Sequence, residues 1–266
     1  MSDIFGIEIV KYAFLNGVII SILCGFLSFF VVQKRMSFLT VTISHSAFGA
    51  IGLALLLNIN QQLALYVLSF LIAVIVFELK KRSKIEFETI LGIFFAITMA
   101  IGVISLKFAR NSSFDLSGIL FGSILSSNRW DLFISIIISL IVFAMYFIFF
   151  DKIIFTIFDE EVAEVSGVKT NLMNYIILIS LTLVVVICIK ITGIILLTAF
   201  LTLPSAITLL FTKSYRITII LSIILSLIIF ISSFFVAYSF DLPPGTVTVL
   251  VGGIIYLISS FLVKKA

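Results

Sequence analysis

Charged residues are scarce in this sequence of 266 residues. They make up 11% of the chain, against about 25% in an average soluble domain. Apolar residues make up 62% of the chain, which is more than a soluble core can bury. The composition therefore excludes a soluble globular protein and predicts an integral membrane protein whose apolar surface faces lipid.

Several features that would indicate chemistry are also rare or missing. The two cysteines, Cys24 and Cys188, lie in apolar segments and form neither a CxxC pair nor a disulfide framework. The chain contains no Walker motif GxxxxGK(S/T), no HExxH and no Ser-His-Asp pattern. These absences predict that the chain is not an enzyme and that another subunit hydrolyses any ATP that is used.

The apolar residues form long continuous runs, which indicate membrane-spanning helices rather than the alternating strands of a barrel. A span needs about 20 apolar residues. Roughly nine segments qualify, at 12–32, 38–57, 63–79, 89–106, 132–150, 173–189, 194–212, 217–239 and 247–263. Only residues 190–193 separate the sixth from the seventh, so a broken or re-entrant helix there would leave eight spans. The predicted fold class is an all-α polytopic membrane protein with eight or nine transmembrane helices, in one domain covering residues 1–266.

The basic residues are distributed unevenly between the two sides that nine spans define. Twelve of the 17 Lys and Arg residues fall on one side and the remaining five on the other. The five are Lys11, Lys107, Arg110, Arg129 and Lys190. Loops rich in Lys and Arg stay in the cytoplasm, so nine spans place the N-terminus outside and the C-terminus in the cytoplasm. The basic charge thus reflects topology, and no nucleic-acid partner is expected.

The only histidine, His45, lies in the second predicted span. It is about seven residues from the start, which corresponds to about 10 Å at 1.5 Å per residue. An ionisable side chain at that depth indicates a functional site; the alternative is a neutral imidazole that only ties helices together. Thr42 and Ser44 are nearby hydroxyl groups, while Gly49 and Gly52 allow another helix to approach closely.

An acidic segment at about 158–168 lies on the predicted cytoplasmic side. Its valines recur at helical spacing, and Gly167 lies where such a helix would end. The segment is either a solvated loop helix or a helix that docks a cytoplasmic partner through its apolar side. Its acidic residues are Asp159, Glu160, Glu161 and Glu164.

Pro204 lies inside the seventh predicted span. A proline there removes one helix hydrogen bond and kinks or breaks the helix. The neighbouring hydroxyl residues Thr198, Thr202, Ser205 and Thr208 can bond the freed carbonyl groups. The kink is either structural or part of a transport pathway, because broken helices line many transport sites.

Six segments, in this order, resemble the membrane permease subunit of zinc- and manganese-type metal ABC importers, the ABC-3 family. They are residues 34–52, 90–103, 115–125, 158–175, 193–214 and 241–252. The first resembles the family's basic start followed by a Ser-His pair and a glycine-containing helix. The third resembles its outer Leu-Phe-Gly segment, and the fourth its cytoplasmic coupling helix. The resemblance covers nearly the whole chain.

The resemblance implies the architecture of a type II ABC importer, similar to the vitamin B12 permease, in a prokaryotic cytoplasmic membrane. The partners it implies are membrane lipid, a second copy of the chain, ATP-binding cassette subunits and an extracytoplasmic metal-binding protein. It implies no cofactor bound by this chain, and a cargo of zinc or manganese, or also iron. The implied pathway residues are His45, Thr42, Ser44 and the helix kink at Pro204. The implied ATPase-coupling residues are Asp159, Glu160, Glu161, Glu164 and Gly167.

One position departs from the family pattern. The family commonly has an aspartate four residues before the histidine, on the same helix face, where this chain has Val41. Carboxylates suit Mn²⁺ and imidazoles suit Zn²⁺ among others, so the departure leaves the metal open. It also leaves open a chelated metal or another solute as cargo. Two further hypotheses are a stand-alone secondary transporter, which would need carboxylates within the spans, and an assembly or anchoring subunit.

Overall fold

The computed structural model describes residues 8–109, 127–240 and 242–263, and all regular structure in these ranges is helical. In chain order the helices are α1 (Glu8–Gln33), α2 (Ser37–Leu57), α3 (Gln61–Arg82), α4 (Phe87–Phe108), α5 (Arg129–Phe158), α6 (Glu160–Val165), α7 (Thr170–Phe200), α8 (Leu203–Phe211), α9 (Tyr215–Phe240) and α10 (Pro244–Leu262). Nine stretches within the described ranges are long and apolar enough to cross a membrane. The all-α polytopic fold class is confirmed, whereas the predicted outer segment at 115–125 lies outside the described residues.

The sixth and seventh crossings, Thr170–Ile189 and Thr192–Phe211, join at a single glycine. Gly193 has φ 76° and ψ 168°, a conformation that side chains larger than hydrogen disfavour. Asn174 before this glycine and Thr202 after it both lie at the end of the bundle that carries the turn between α1 and α2. The chain therefore crosses the bundle, reverses its direction at Gly193 and returns to the end from which it started. This path agrees with nine crossings.

The end of the bundle that carries this turn is rich in basic side chains, and we name it the basic end. It comprises the α1–α2 turn, the end of α3, all of α6, and the first turns of α4, α7 and α9. Contacts hold these parts together: Lys81 of α3 donates to the Tyr175 hydroxyl of α7 at 3.1 Å, and Lys80 lies over the Phe87 ring of α4. Phe158 packs edge-on against Tyr215.

Helix α5 is longer than the predicted span 132–150, because it runs from residue 129 to residue 158. A capping box between Asn128 and Asp131 starts it early, since these side chains satisfy backbone donors of the first turn. At the other end Ile153 and Ile154 are buried. Their packing stabilises the helix beyond the charged residues at 151–152. The predicted cytoplasmic connection at 151–172 is correspondingly shorter.

Helices α2 and α4 pack at very short range through glycine. A Cβ atom on Gly49 would lie 2.6 Å from the carbonyl oxygen of Thr98, and one on Gly52 would lie 2.8 Å from that of Gly102. In return, a Cβ atom on Gly102 would lie 2.4 Å from the Phe48 ring. Small residues at a helix interface permit such close backbones in a membrane, so these glycines set the position of α2.

We expect Gly49→Ala to lower the midpoint of thermal unfolding in detergent by at least about 2 °C. The added methyl group must push α2 from the α4 backbone, and such overpacking costs about 1–3 kcal/mol. Gly253→Ala is the matched control, because nothing lies within 4 Å of a Cβ atom there. A scanning fluorimetry measurement that gives both variants the same midpoint would contradict this packing.

Candidate functional site

His45 lies in the first half of α2, which begins at Ser37. Eight helical steps place it about 12 Å from the start of the helix. Its imidazole is half-buried, and the ring packs edge-on against Phe95 of α4 with centroids 4.9 Å apart. The helix that carries the only histidine therefore begins close to where the sequence predicts.

The imidazole orientation follows from one hydrogen bond. His45 Nδ1 lies 2.9 Å from the carbonyl oxygen of Val41. A carbonyl oxygen can only accept, so Nδ1 must carry the proton. In the neutral ring Nε2 then holds the lone pair, which is the form in which histidine ligates a metal.

The two hydroxyl residues predicted beside His45 lie on different sides of α2. Thr42 donates to the carbonyl oxygens of Phe38 at 2.9 Å and of Leu91 in α4 at 3.3 Å. Ser44 lies about 100° around the helix from His45; it is buried, and its hydroxyl has no partner among the described residues. Thr42 and His45 thus both border α4, whereas Ser44 does not join them.

A cleft of about 680 Å³ opens at the basic end beside α2. Val41 lines it, and His45 lies one helical turn further along the same face. Arg35 of the α1–α2 turn and Glu88 in the first turn of α4 also line the cleft. Neither charged residue carries a local sequence signal for such a role, because only the packing of α1, α2 and α4 brings them together.

The helix break expected near Pro204 is present and forms another wall of the cleft. Helix α7 ends at Phe200 and α8 begins at residue 203, so Pro204 occupies its first turn, where a missing N–H is tolerated. Thr202 donates to the Thr198 carbonyl oxygen at 2.8 Å, as predicted for the hydroxyl residues there. Both threonines line the cleft, so the broken crossing and the helix that carries His45 meet at one opening.

Helix α6, Glu160–Val165, is shorter than the predicted helix at 158–168. Asp159 is its N-cap and accepts from the Val162 backbone N–H at 2.9 Å. Gly167 has φ 86°, and the backbone N–H of Val168 donates to the Ala163 carbonyl oxygen, which closes the helix. The predicted stop at Gly167 is confirmed, and both ends of α6 are well defined.

One side of α6 faces away from the bundle. Val162 is 50% exposed and Val165 is 91% exposed, whereas Ala163 is fully buried. Glu161 and Glu164 are also exposed. We name Glu161, Val162, Glu164 and Val165 the α6 face; it combines apolar side chains with acidic neighbours, a surface that suits a partner groove.

Glu160 differs from the other acidic residues because it turns toward the bundle. Its carboxylate accepts from Lys34 Nζ at 3.0 Å and from Asn174 Nδ2 at 2.7 Å. Burial raises the pKa of Glu160, but the bond to Lys34 and its charge outweigh this and hold the pKa below its ordinary value. The ion pair is therefore intact at neutral pH and is lost as the pH falls through the lowered pKa. Sequence reasoning missed Lys34, which is 126 positions away.

The described part of the chain contains no cluster of three or more His, Cys, Asp or Glu residues that could hold a metal ion. Two candidate ligand side chains lie near the cleft: Glu88 lines it, and His45 lies one helical turn beyond Val41.

Comparisons with known proteins identify the family and agree with the fold. A family model described as "ABC 3 transport family" matches residues 6–263. The chain is 33% identical over 253 residues to "Manganese import system permease protein ScaB" of Streptococcus gordonii, covering 95% of this chain and 91% of the relative. It is 28% identical over 254 residues to "High-affinity zinc uptake system membrane protein ZnuB" of Haemophilus influenzae, covering 96% and 97%. The solved structure "PsaBC from Streptococcus pneumoniae in complex with Fab" superimposes with a TM-score of 0.83 at 30% identity, covering 97% of this chain and 93% of that one.

Proposed function

The chain belongs to the ABC 3 transport family, and from that premise we propose that it is the transmembrane permease subunit of an ATP-driven importer of divalent metal ions. The whole chain forms one permease domain in the cytoplasmic membrane of a prokaryote. Two copies enclose the pathway, a separate cassette subunit hydrolyses ATP, and an extracytoplasmic protein delivers the metal. The relatives are named for manganese and for zinc, and both ions are candidates for the cargo.

The observation that carries this proposal is the cleft at the basic end. It lies between the helix that carries His45 and the crossing that breaks before Pro204. Broken helices and isolated polar side chains within a bundle are the usual components of a transport site. The positive-inside rule places the basic end in the cytoplasm, so the cleft is an exit route on that side.

The α6 face supports a cassette partner at the same end of the bundle. A valine that is 91% exposed next to two glutamates would serve no purpose in a carrier that works alone. Docking an apolar helix face into a groove explains it. This supports an ABC permease over a stand-alone secondary transporter, whereas His45 and the helix break before Pro204 argue against a mere anchoring subunit.

The chemistry of His45 suits a transported ion. Imidazole nitrogen ligates Zn²⁺, Fe²⁺ and other first-row metals, and a second copy of the chain would supply a second His45. With Val41 in place of a carboxylate, the site binds through few protein ligands. A site on a transport pathway must bind well enough to admit the ion and weakly enough to release it.

A chelated metal is a second candidate cargo, which one observation favours. The cleft measures about 680 Å³, within the range of about 300–1,000 Å³ that small-molecule sites occupy. A bare ion needs far less space. A metal carried with its chelator would also need fewer ligands from the protein.

Element-resolved uptake tests the proposal. The chain is expressed with its cassette and metal-binding partners in bacteria that lack their own zinc and manganese importers, and cell metal is measured by mass spectrometry. We expect zinc or manganese to rise clearly above the content of cells without the chain, and the rise to disappear when the cassette subunit is left out.

Two results would contradict the proposal in different ways. If the complex assembles and hydrolyses ATP but accumulates metal only when a chelator is supplied, the cargo is the chelate. If the chain purifies under mild conditions without any cassette subunit and no metal accumulates, the proposed ATP-driven metal importer is wrong.

A further inference from the structure

Glu160 and Lys34 connect α6 to the α1–α2 turn through an ion pair in which the lysine side chain is buried and the glutamate side chain is 47% exposed. Glu160 is the first residue of α6, and its Oε2 atom lies 3.0 Å from Lys34 Nζ. The Lys34 side chain is only 10% exposed. An ammonium group that is mostly removed from water depends on its partner far more than one on the surface does. Water screens the exposed side of Glu160 in part, and its position is fixed by both carboxylate oxygens, one bonded to Lys34 and the other to Asn174.

The turn between α1 and α2, which begins at Lys34, is short and held by backbone hydrogen bonds. Only Lys34, Arg35 and Met36 separate α1 from α2. The backbone N–H of Met36 donates to the Val31 carbonyl oxygen at 2.8 Å, that of Arg35 to Val32 at 3.1 Å, and that of Lys34 to Phe30 at 3.1 Å. Arg35 has φ 54°, a left-handed conformation that a tight turn imposes. A displacement of Lys34 therefore reaches the start of α2 directly.

The start of α2 is also the rim of the cleft. Arg35 and Ser37 line the cleft beside Val41, and His45 follows on the same helix face. Hence Glu160 is connected through its ion pair with Lys34, and then through the backbone of the turn, to the residues that line the cleft.

Resting on the proposed function, we infer that the Lys34–Glu160 ion pair transmits the movement of α6 to α2 and so opens and closes the exit beside Val41. Both are positioning residues, because neither reaches the cargo. Asn174 holds the second oxygen of Glu160 and keeps the carboxylate aimed at Lys34. Its neighbour Tyr175 bonds Glu78 and Lys81 of α3, which steadies α7 against α3 while α6 moves.

The number of metal ions moved per ATP hydrolysed tests the inference. The complete complex of permease, cassette subunit and metal-binding protein is reconstituted in liposomes. We expect Glu160→Gln and Lys34→Met to assemble normally and to keep ATP hydrolysis within about twofold of the native rate. Uptake per ATP should fall about tenfold, the size of a typical coupling between sites.

Two further variants sharpen the test. The exchange of Lys34→Glu with Glu160→Lys restores an ion pair of reversed polarity, and the unpartnered Oδ1 atom of Asn174 can accept from the new lysine. We expect it to recover at least about half of the native uptake per ATP, limited by repulsion from Lys80, whose charge acts on this position. Asp151→Asn removes an exposed carboxylate at the basic end and should match the native complex.

Three results would overturn the inference. The first is native uptake per ATP in both single variants, and the second is an exchange variant no better than either of them. The third is a parallel loss of assembly, ATP hydrolysis and uptake, which would assign the pair to docking or folding. If the native complex moves no metal at all, the proposed function fails and the inference fails with it.

Discussion

Replacing His45 with alanine should abolish metal uptake while the complex still assembles. The imidazole lies one helical turn beyond Val41 of the cleft wall, and its Nδ1 bond to Val41 directs the lone pair to Nε2. Removing groups that merely support a metal ligand costs about 10–100-fold in affinity, so loss of the ligand itself should reduce uptake by more than about tenfold. Mass spectrometry of cell metal measures this.

The imidazole of His45 hydrogen-bonds to its own helix, so His45→Ala should leave the thermal midpoint near that of the native protein. Ser46→Ala is the matched control on the same helix. The Ser46 hydroxyl bonds Ile43 at 2.6 Å and Ser69 of α3 at 3.3 Å, away from the cleft. We expect this control to take up metal at close to the native rate. Equal uptake by His45→Ala and the native chain would make His45 a packing residue.

Val165→Asp should prevent the cassette subunit from binding. Val165 is 91% exposed on the α6 face, beside Val162. An interface that buries this face would have to bury the new carboxylate next to two glutamates. Losing a central interface contact costs at least about 2 kcal/mol, which is about 30-fold in Kd. Co-purification of the cassette and a titration of its binding to the permease in detergent measure the loss.

Because the α6 face points away from the bundle, Val165→Asp should fold normally and keep the native thermal midpoint. Leu57→Asp is the control, because Leu57 is 62% exposed at the opposite end of α2. It introduces the same charge on an exposed apolar position far from α6 and should bind the cassette as the native chain does. Undiminished binding by Val165→Asp would show that the cassette uses another surface.

The predictable elements of the fold are those that depend on local properties of the sequence. The lipid environment, the number of crossings and the helix breaks follow from hydropathy, from span length and from the restrictions of glycine and proline. Gly193, Pro204 and Gly167 all interrupt or end helices where these rules place them. The length of α5 was mispredicted, because burial of Ile153 and Ile154 extends it past two charged residues.

The candidate site was predictable only in outline. His45 stood out because an ionisable group within a span is costly, and α6 stood out by its charge. That Ser44 turns away from His45, and that Arg35 and Glu88 border the same cleft, depends on which faces the helices present to one another.

The sequence by itself determined that this protein is a membrane bundle of eight or nine crossings with one mid-span histidine and an acidic segment on its basic side. Only the tertiary structure decided that Glu160 bonds Lys34 of the α1–α2 turn while Val165 is left 91% exposed. The reason is physical. In lipid every helix face is apolar, so hydropathy does not mark which side packs against protein. The pairing of two residues 126 positions apart is set by the order in which the helices pack.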